Sequence, residues 1–118
     1  MGASHENEIT YLCEIAKPNY GIITNIGKAH LEGFGSLEGV IRSKSELYKY
    51  LINNKQNILI NLDDSVQIKQ TQGYKVSSLG QTGKANFQWE NLESNEEGIK
   101  IYFQNQSFQS KLYGTYNL

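Results

Sequence analysis

Cysteine and proline are almost missing from this sequence, with one of each, Cys13 and Pro18, in 118 residues. A single thiol excludes an internal disulfide, and with it the small secreted folds that are stapled rather than packed. Charge of one sign is missing too. With 11 Lys and Arg against 12 Asp and Glu, the formal net charge is −1. No global field recruits nucleic acid or an anionic membrane. The longest apolar runs, 20–23 and 58–60, fall far short of the roughly 20 residues that span a bilayer. No basic region followed by an apolar stretch opens the chain, as a signal peptide would. These absences favour the cytoplasm. The sequence also lacks a cysteine cluster with zinc spacing, a G-x-x-x-x-G-K-[ST] phosphate loop and a G-x-S-x-G nucleophile turn.

What is present is enough for a core. A chain of this length buries roughly two-thirds of the surface that its unfolded form exposes. Its character changes near Gly80. Residues 1–80 alternate helical and strand patterns, and residues 81–118 read as strands only. No linker or repeat separates the two, so one α/β unit is expected. Its first part is a partial parallel sheet with flanking helices, and its second a small antiparallel sheet.

Ser4 is a plausible cap for a helix from His5, with Ile9, Leu12, Cys13 and Ala16 on one face and Pro18 ending it. The segment 20–26 is apolar at successive positions, as a strand covered on both faces would be. A glycine-rich loop follows. Ser36 is the expected cap of a second helix running to about Ile52. Further strands are expected at 57–61 and 74–79, with Asp63 and Asp64 after the first. Beyond them, 85–91, 99–104 and 107–113 alternate and carry Phe87, Trp89, Tyr102 and Phe103. These aromatics lack interleaved arginines, so sheet packing is expected of them rather than base stacking.

In an open parallel sheet, ligands bind beyond the carboxyl ends of the strands. The loop at 27–36 is such a place, with glycines that allow close backbone approach. His30 offers it a neutral nitrogen that can bind a metal, and Glu32 a carboxylate. On the second helix, Val40, Ile41, Leu47, Tyr48 and Leu51 form the apolar stripe. Lys44 lies on that stripe, while Arg42, Ser43, Ser45 and Lys49 lie elsewhere. An amine held against apolar surface loses solvation, which favours its neutral, nucleophilic form. Such an amine can capture carbon dioxide as a carbamate, an oxygen ligand for magnesium. The alternative is a lysine whose stem follows the core while its charge reaches water. Cys13 is expected as a packed small side chain, His5 as a partly exposed group near the helix start, and Asp63-Asp64 as turn chemistry.

Several motifs carry a resemblance. Thr24-Asn25-Ile26-Gly27-Lys28-Ala29-His30-Leu31-Glu32-Gly33-Phe34-Gly35-Ser36, followed by Lys44-Ser45-Glu46-Leu47, closely resembles the central domain of the Mur ligase family. Gly2-Ala3-Ser4-His5-Glu6-Asn7-Glu8-Ile9 and the Leu31-Glu32-Gly33-Phe34-Gly35 wording resemble the D-alanyl-D-alanine-adding (MurF) branch. Gly114-Thr115-Tyr116-Asn117 resembles the Gly-x-His-Asn motif that ends the domain, with Tyr116 in the histidine position. Residues 63–110 match in general pattern only.

The resemblance implies an ATP-dependent amide ligase of cell-wall synthesis. Its substrates would be UDP-N-acetylmuramoyl-tripeptide and D-alanyl-D-alanine, joined through an acyl phosphate with magnesium. By position, His30 resembles a magnesium ligand, Lys44 the carbamylated lysine that supports the metal, and Asn117 the asparagine on the adenine and ribose side of ATP. It also implies parts outside these residues: a domain for the uridine nucleotide, the phosphate loop, a metal-binding glutamate just upstream and a C-terminal domain. The chain is therefore expected to be a piece of the central domain, inactive alone and prone to self-association through exposed edges. A sister ligase, including the folate-glutamate type, and a non-catalytic module that kept the fold are the other readings.

Overall fold

The computed structural model describes residues 1–26, 36–81, 83–95, 98–103 and 106–111. Among these, helix α1 spans Glu8–Ala16, strand β1 Tyr20–Ile22, helix α2 Leu37–Lys44, helix α3 Glu46–Asn53 and strand β2 Asn57–Asn61. Helix α4 spans Ser65–Gln70, and strands β3 to β6 span Ser77–Gly80, Phe87–Asn95, Gly98–Phe103 and Gln106–Ser110. The strands form one mixed sheet in the order β1-β2-β3-β4-β5-β6. The first four run parallel, and β5 and β6 turn back antiparallel. The expected parallel and antiparallel parts are thus continuous, joined where Leu79 and Gly80 pair with Phe87 and Gln88. Asn86 fastens that junction. Its Oδ1 accepts from Ser78 N at 2.9 Å and Ser78 Oγ at 3.0 Å, and its own N–H donates back to Ser78 Oγ at 3.1 Å.

The two crossovers, β1 to β2 through α2 and α3 and β2 to β3 through α4, step the same way along the sheet. Right-handed crossovers that step one way leave their helices on one face. The core lies there, where Ile23, Ile58 and Ile60 meet Tyr48 and Leu51 of α3. Gly21 sets how close α3 comes, since a Cβ at that position would stand 2.5 Å from Leu51 Cδ1 and 3.2 Å from Leu47. The opposite face differs from expectation. Ile22 and Tyr20 of β1 are exposed, as is Phe87 of β4. The apolar strands are covered on one face by the described residues, not on both.

Three local departures have physical reasons. Helix α1 begins at Glu8 rather than His5, because the N–H groups of Ser4 and His5 are drawn to Glu8 Oε2 at 2.7 and 3.2 Å. Asn7, left-handed at φ 69°, gives α1 no side-chain cap. The cap comes from Glu46, whose Oε2 accepts from Thr10 N at 2.9 Å and whose Oε1 accepts from Asn7 N at 2.7 Å. The second helix caps on Ser36 as expected, with Oγ accepting from Gly39 N at 3.1 Å, but it breaks at Ser45 into α2 and α3. Ser43 and Ser45, placed off the apolar stripe by sequence, are buried.

Helix α4 was not anticipated. Asp64 starts it by accepting from Val66 N and Gln67 N on Oδ1. Its polar-looking sequence hides Gln67, which is fully buried. The expected strands at 99–104 and 107–113 reach beyond the described residues at their ends. Of the antiparallel arm, Gly98 at φ 121° is the position only glycine fits, since a Cβ there would run into the carbonyl oxygen of Ser110.

Candidate functional site

Beyond the carboxyl end of β1, the chain runs through Ile23, Thr24 and Asn25 toward the glycine-rich residues 27–35. Lys44, the last residue of α2, turns toward that segment. Its Nζ donates to the Asn25 carbonyl at 2.9 Å. The side chain is half-buried and borders an open cleft of about 340 Å³, together with Met1, Ile9, Pro18, Thr24 and Leu47. The lysine stem therefore lies along apolar surface, as its place on the stripe predicts, and its amine is oriented by a backbone acceptor. An unmodified ammonium has only donors. To offer a hard cation an oxygen ligand it must first carry a carbamate, which replaces donors with acceptor oxygens.

The strand end that faces Lys44 is fixed from below by one buried amide. Gln67 Nε2 donates to the Ile23 carbonyl at 2.9 Å and to Asp64 Oδ2 at 3.1 Å. Its Oε1 accepts from Tyr48 O–H at 2.9 Å and from Asn61 N at 3.0 Å. One side chain thus ties β1, β2, α3 and α4 at the level where ligands bind in this kind of sheet. Burial pushes the Tyr48 phenol up to about 12. Sequence reading missed Gln67. The only signal for it was Asp64 three residues ahead, a helix-start pattern followed by too few apolar residues to announce a helix.

His30 and Asn117 lie outside the described residues, as does Glu32. The other candidates have structural duties. Asp63 Oδ2 accepts from Gln81 N at 2.9 Å and Asp64 caps α4, so the Asp pair is turn and cap chemistry. Cys13 is fully buried, with Sγ 3.9 Å from Met1 Sδ. Burial, and next the Glu46 carboxylate, push its thiol up, away from the reactive thiolate. His5 is exposed, and its Nδ1 faces both Ser4 Oγ at 3.0 Å and Glu8 Oε1 at 3.6 Å. Both contacts use one nitrogen, so no proton relay runs through the ring. The two backbone N–H groups on Glu8 hold its carboxyl below the usual range. In the antiparallel arm, Lys100 Nζ sits 5.2 Å from the Tyr102 ring centre, a surface cation–π contact. Among the described residues no three His, Cys, Asp or Glu side chains converge as a metal site would need.

An open sheet with parallel strands, helices on its crossovers and a lysine amine beyond a strand's carboxyl end defines an α/β domain of the ligand-binding kind. Comparison with known proteins gives the kind a family: the Mur ligase middle domain model matches residues 1–118, and the chain belongs to that family. It is 52% identical over 54 residues to the UDP-N-acetylmuramoyl-tripeptide–D-alanyl-D-alanine ligase of Haemophilus influenzae, a match covering 46% of this chain and 12% of that protein. Its fold superposes on MurF from Acinetobacter baumannii with a TM-score of 0.78 and 24% identity, over 99% of this chain and 27% of the other. The MurF ligase of Thermotoga maritima, solved with ADP, gives a TM-score of 0.67 and 26% identity over 92% of this chain and 26% of the other. The chain thus spans about a quarter of the length of the ligases whose fold it shares.

Proposed function

We propose that the whole protein carrying this chain is an ATP-dependent ligase that adds D-alanyl-D-alanine to UDP-N-acetylmuramoyl-tripeptide, and that these 118 residues supply part of its central domain. The observation that carries the reading is the lysine geometry inside the family match. Lys44 stands at the end of α2 with its amine aimed at the segment that leads into residues 27–35. In that reaction the substrate carboxylate takes the γ-phosphoryl group of ATP and becomes an acyl phosphate. The amine of D-alanyl-D-alanine attacks the acyl carbon, phosphate leaves, and the amine's proton passes to solvent or a nearby base. Positioning and charge neutralisation supply most of the rate in phosphoryl transfer.

Lys44 would act as a carbamate. Its neutral amine adds to carbon dioxide, one proton is released, and the new carboxylate would present acceptor oxygens to a cation, while the carbamate N–H would keep a donor for the Asn25 carbonyl. His30 and this carbamate would hold magnesium, which when bound neutralises charge on the transferring group. Asn117 would lie on the adenine and ribose side of ATP. The likeness to a ligase solved with ADP supports the nucleotide part of this reading. The uridine-nucleotide domain, phosphate loop and C-terminal domain would come from the rest of the protein, which would also cover the bare sheet face. Alone, the 118-residue chain is inactive and self-associates through its exposed sheet edges. No described helix is long and apolar enough to cross a membrane, and the reading places the enzyme in the cytoplasm.

The test is phosphate release by the whole protein with ATP, magnesium and the UDP-linked tripeptide. Release that requires D-alanyl-D-alanine, and that falls by orders of magnitude in Lys44→Ala, is expected. A preference for another amine points to a sister ligase. No release from a folded whole protein points to a non-catalytic module. Unchanged turnover in Lys44→Ala removes the site assignment.

A further inference from the structure

Three residues that flank Lys44, namely Arg42, Ser43 and Glu46, reach away from the site, and each takes hold of one segment. Arg42 donates from Nε and Nη2 to Glu6 Oε1 at 3.0 and 2.8 Å. Ser43 Oγ donates to the His5 carbonyl at 3.3 Å. Glu46 accepts from Asn7 N on Oε1, and from both Thr10 N and Thr10 Oγ on Oε2, at 2.7, 2.9 and 3.0 Å. Every partner lies within residues 5–10, although these pairs are 36 to 39 positions apart in sequence. Ser43 is fully buried and Glu46 is 9% exposed, so the latter two contacts are interior. Lys44, between them, points the other way to Asn25.

The burial of Glu46 has a reason. An α-helix leaves its first N–H groups without partners, and a carboxylate at that end is favoured by both hydrogen bonding and the helix dipole. Because Asn7 does not cap α1, the negative group comes from α3 instead. That fixes the first turn of α1 against the break between α2 and α3, where Lys44 leaves the helix. Met1 and Ile9, on the clasped side, border the same cleft as Lys44.

We propose that Arg42, Ser43 and Glu46 form a clasp whose role is to aim Lys44, with Glu46 as its positioning residue. By pinning residues 5–10 to the break at Ser45, the clasp makes the amino-terminal wall of the cleft and the lysine-bearing helix end one rigid body. Its value to catalysis rests on the ligase reading of Lys44. The geometry does not.

The experiment is NMR on the labelled 118-residue chain, which needs no turnover, so its failure is separable from failure of the ligase reading. In Glu46→Gln the amides of Asn7 and Thr10 are expected to exchange roughly ten- to a hundredfold faster, as loss of a bond to a charged acceptor implies. The Lys44 Cε and Hε signals are expected to move toward those of a free lysine. The core amides of Ile58 and Ile60 are expected to keep their protection. Freed Asn7 and Thr10 amides with unmoved Lys44 signals would overturn the proposal, leaving Glu46 a helix cap. Uniform acceleration of all amides would overturn it too, since that is global destabilisation. Should Glu46→Gln not fold, Thr10→Val and Thr10→Ser decide the matter. Valine removes the Oγ bond and serine keeps it, so only valine is expected to move the Lys44 signals, and equal behaviour of the two sinks the idea.

Discussion

The two faces of the parallel strands are built from the same kind of residue and have opposite surroundings. On one, Ile23, Ile58 and Ile60 are closed over by Tyr48 and Leu51. On the other, Tyr20, Ile22, Leu59 and Phe87 line an open groove of about 390 Å³ walled, among the described residues, by strands alone. An apolar strand residue therefore reports that a cover is intended, not that the cover is in the same stretch of chain. Both crossovers step in one direction, so the helices between β1 and β3 serve one face only. The second face needs a layer from elsewhere, in keeping with a chain that spans 27% of the MurF structure whose fold it shares.

The sharpest way to break the comparison is to cut one apolar side chain on each face. Leu51→Ala, in the covered core, is expected to cost about 2–5 kcal/mol through lost transfer energy and an unfilled cavity. Ile22→Ala, on a side chain already 42% exposed, is expected to cost under about 1 kcal/mol. Urea unfolding midpoints of the two variants measure the difference. Equal losses would mean that the groove is closed in solution, for example by a second copy of the chain.

Next in size is the polar tie under the covered face. Gln67→Leu keeps the bulk but strands the Ile23 carbonyl, the Asn61 N–H and the Tyr48 hydroxyl at once. Buried groups left without partners cost about 1–3 kcal/mol each and do not simply add, so a total of about 2–4 kcal/mol is expected. Faster amide exchange at the end of β1 should accompany it. Loss of stability without that local opening would make Gln67 a packing residue rather than the anchor of the strand end.

A pH titration sharpens the same comparison. The Tyr48 phenol, raised to about 12 by burial from an ordinary 10.0, binds its proton more tightly in the folded chain. The resulting stability is complete below pH 10, then is lost as pH rises through the folded value. Tyr48→Phe is expected to flatten this alkaline loss. Tyr20, 78% exposed on the other face, is the control, and Tyr20→Phe should leave the loss as it was.

The same contrast explains what the residues disclosed. Period and caps were enough for β2 and for the Ser36 cap, because those depend on neighbours in sequence. The place of Lys44 was legible for the same reason: its spacing from Val40, Leu47 and Tyr48 puts its stem on apolar surface. Glu46 and Gln67 were not legible. A buried carboxylate and a buried amide look like surface residues until partners such as Thr10 and Ile23, 36 and 44 positions away, are in place. Ser43 lies off the apolar stripe, yet it is buried because it meets the amino-terminal segment, donating to the His5 carbonyl, instead of the sheet. Two of the three residues of the proposed metal and nucleotide set, His30 and Asn117, rest on motif alone.

The smallest effect is expected at Ser45, and its sign carries the information. The residue is 2% exposed, and its Oγ is a buried hydroxyl with no hydrogen-bond partner among the described residues. Such a hydroxyl is a cost to folding, and removing it leaves no partner behind. Alanine also favours helix over serine, though only by tenths of a kcal/mol. Ser45→Ala is therefore expected to be neutral or to stabilise the chain by up to about 1 kcal/mol in urea unfolding. It is also expected to leave the Asn7 and Thr10 amides protected. A destabilised variant would mean that the hydroxyl has a partner in solution at the break between α2 and α3, next to Lys44. The helix end would then be held by that bond as well as by the Glu46 clasp.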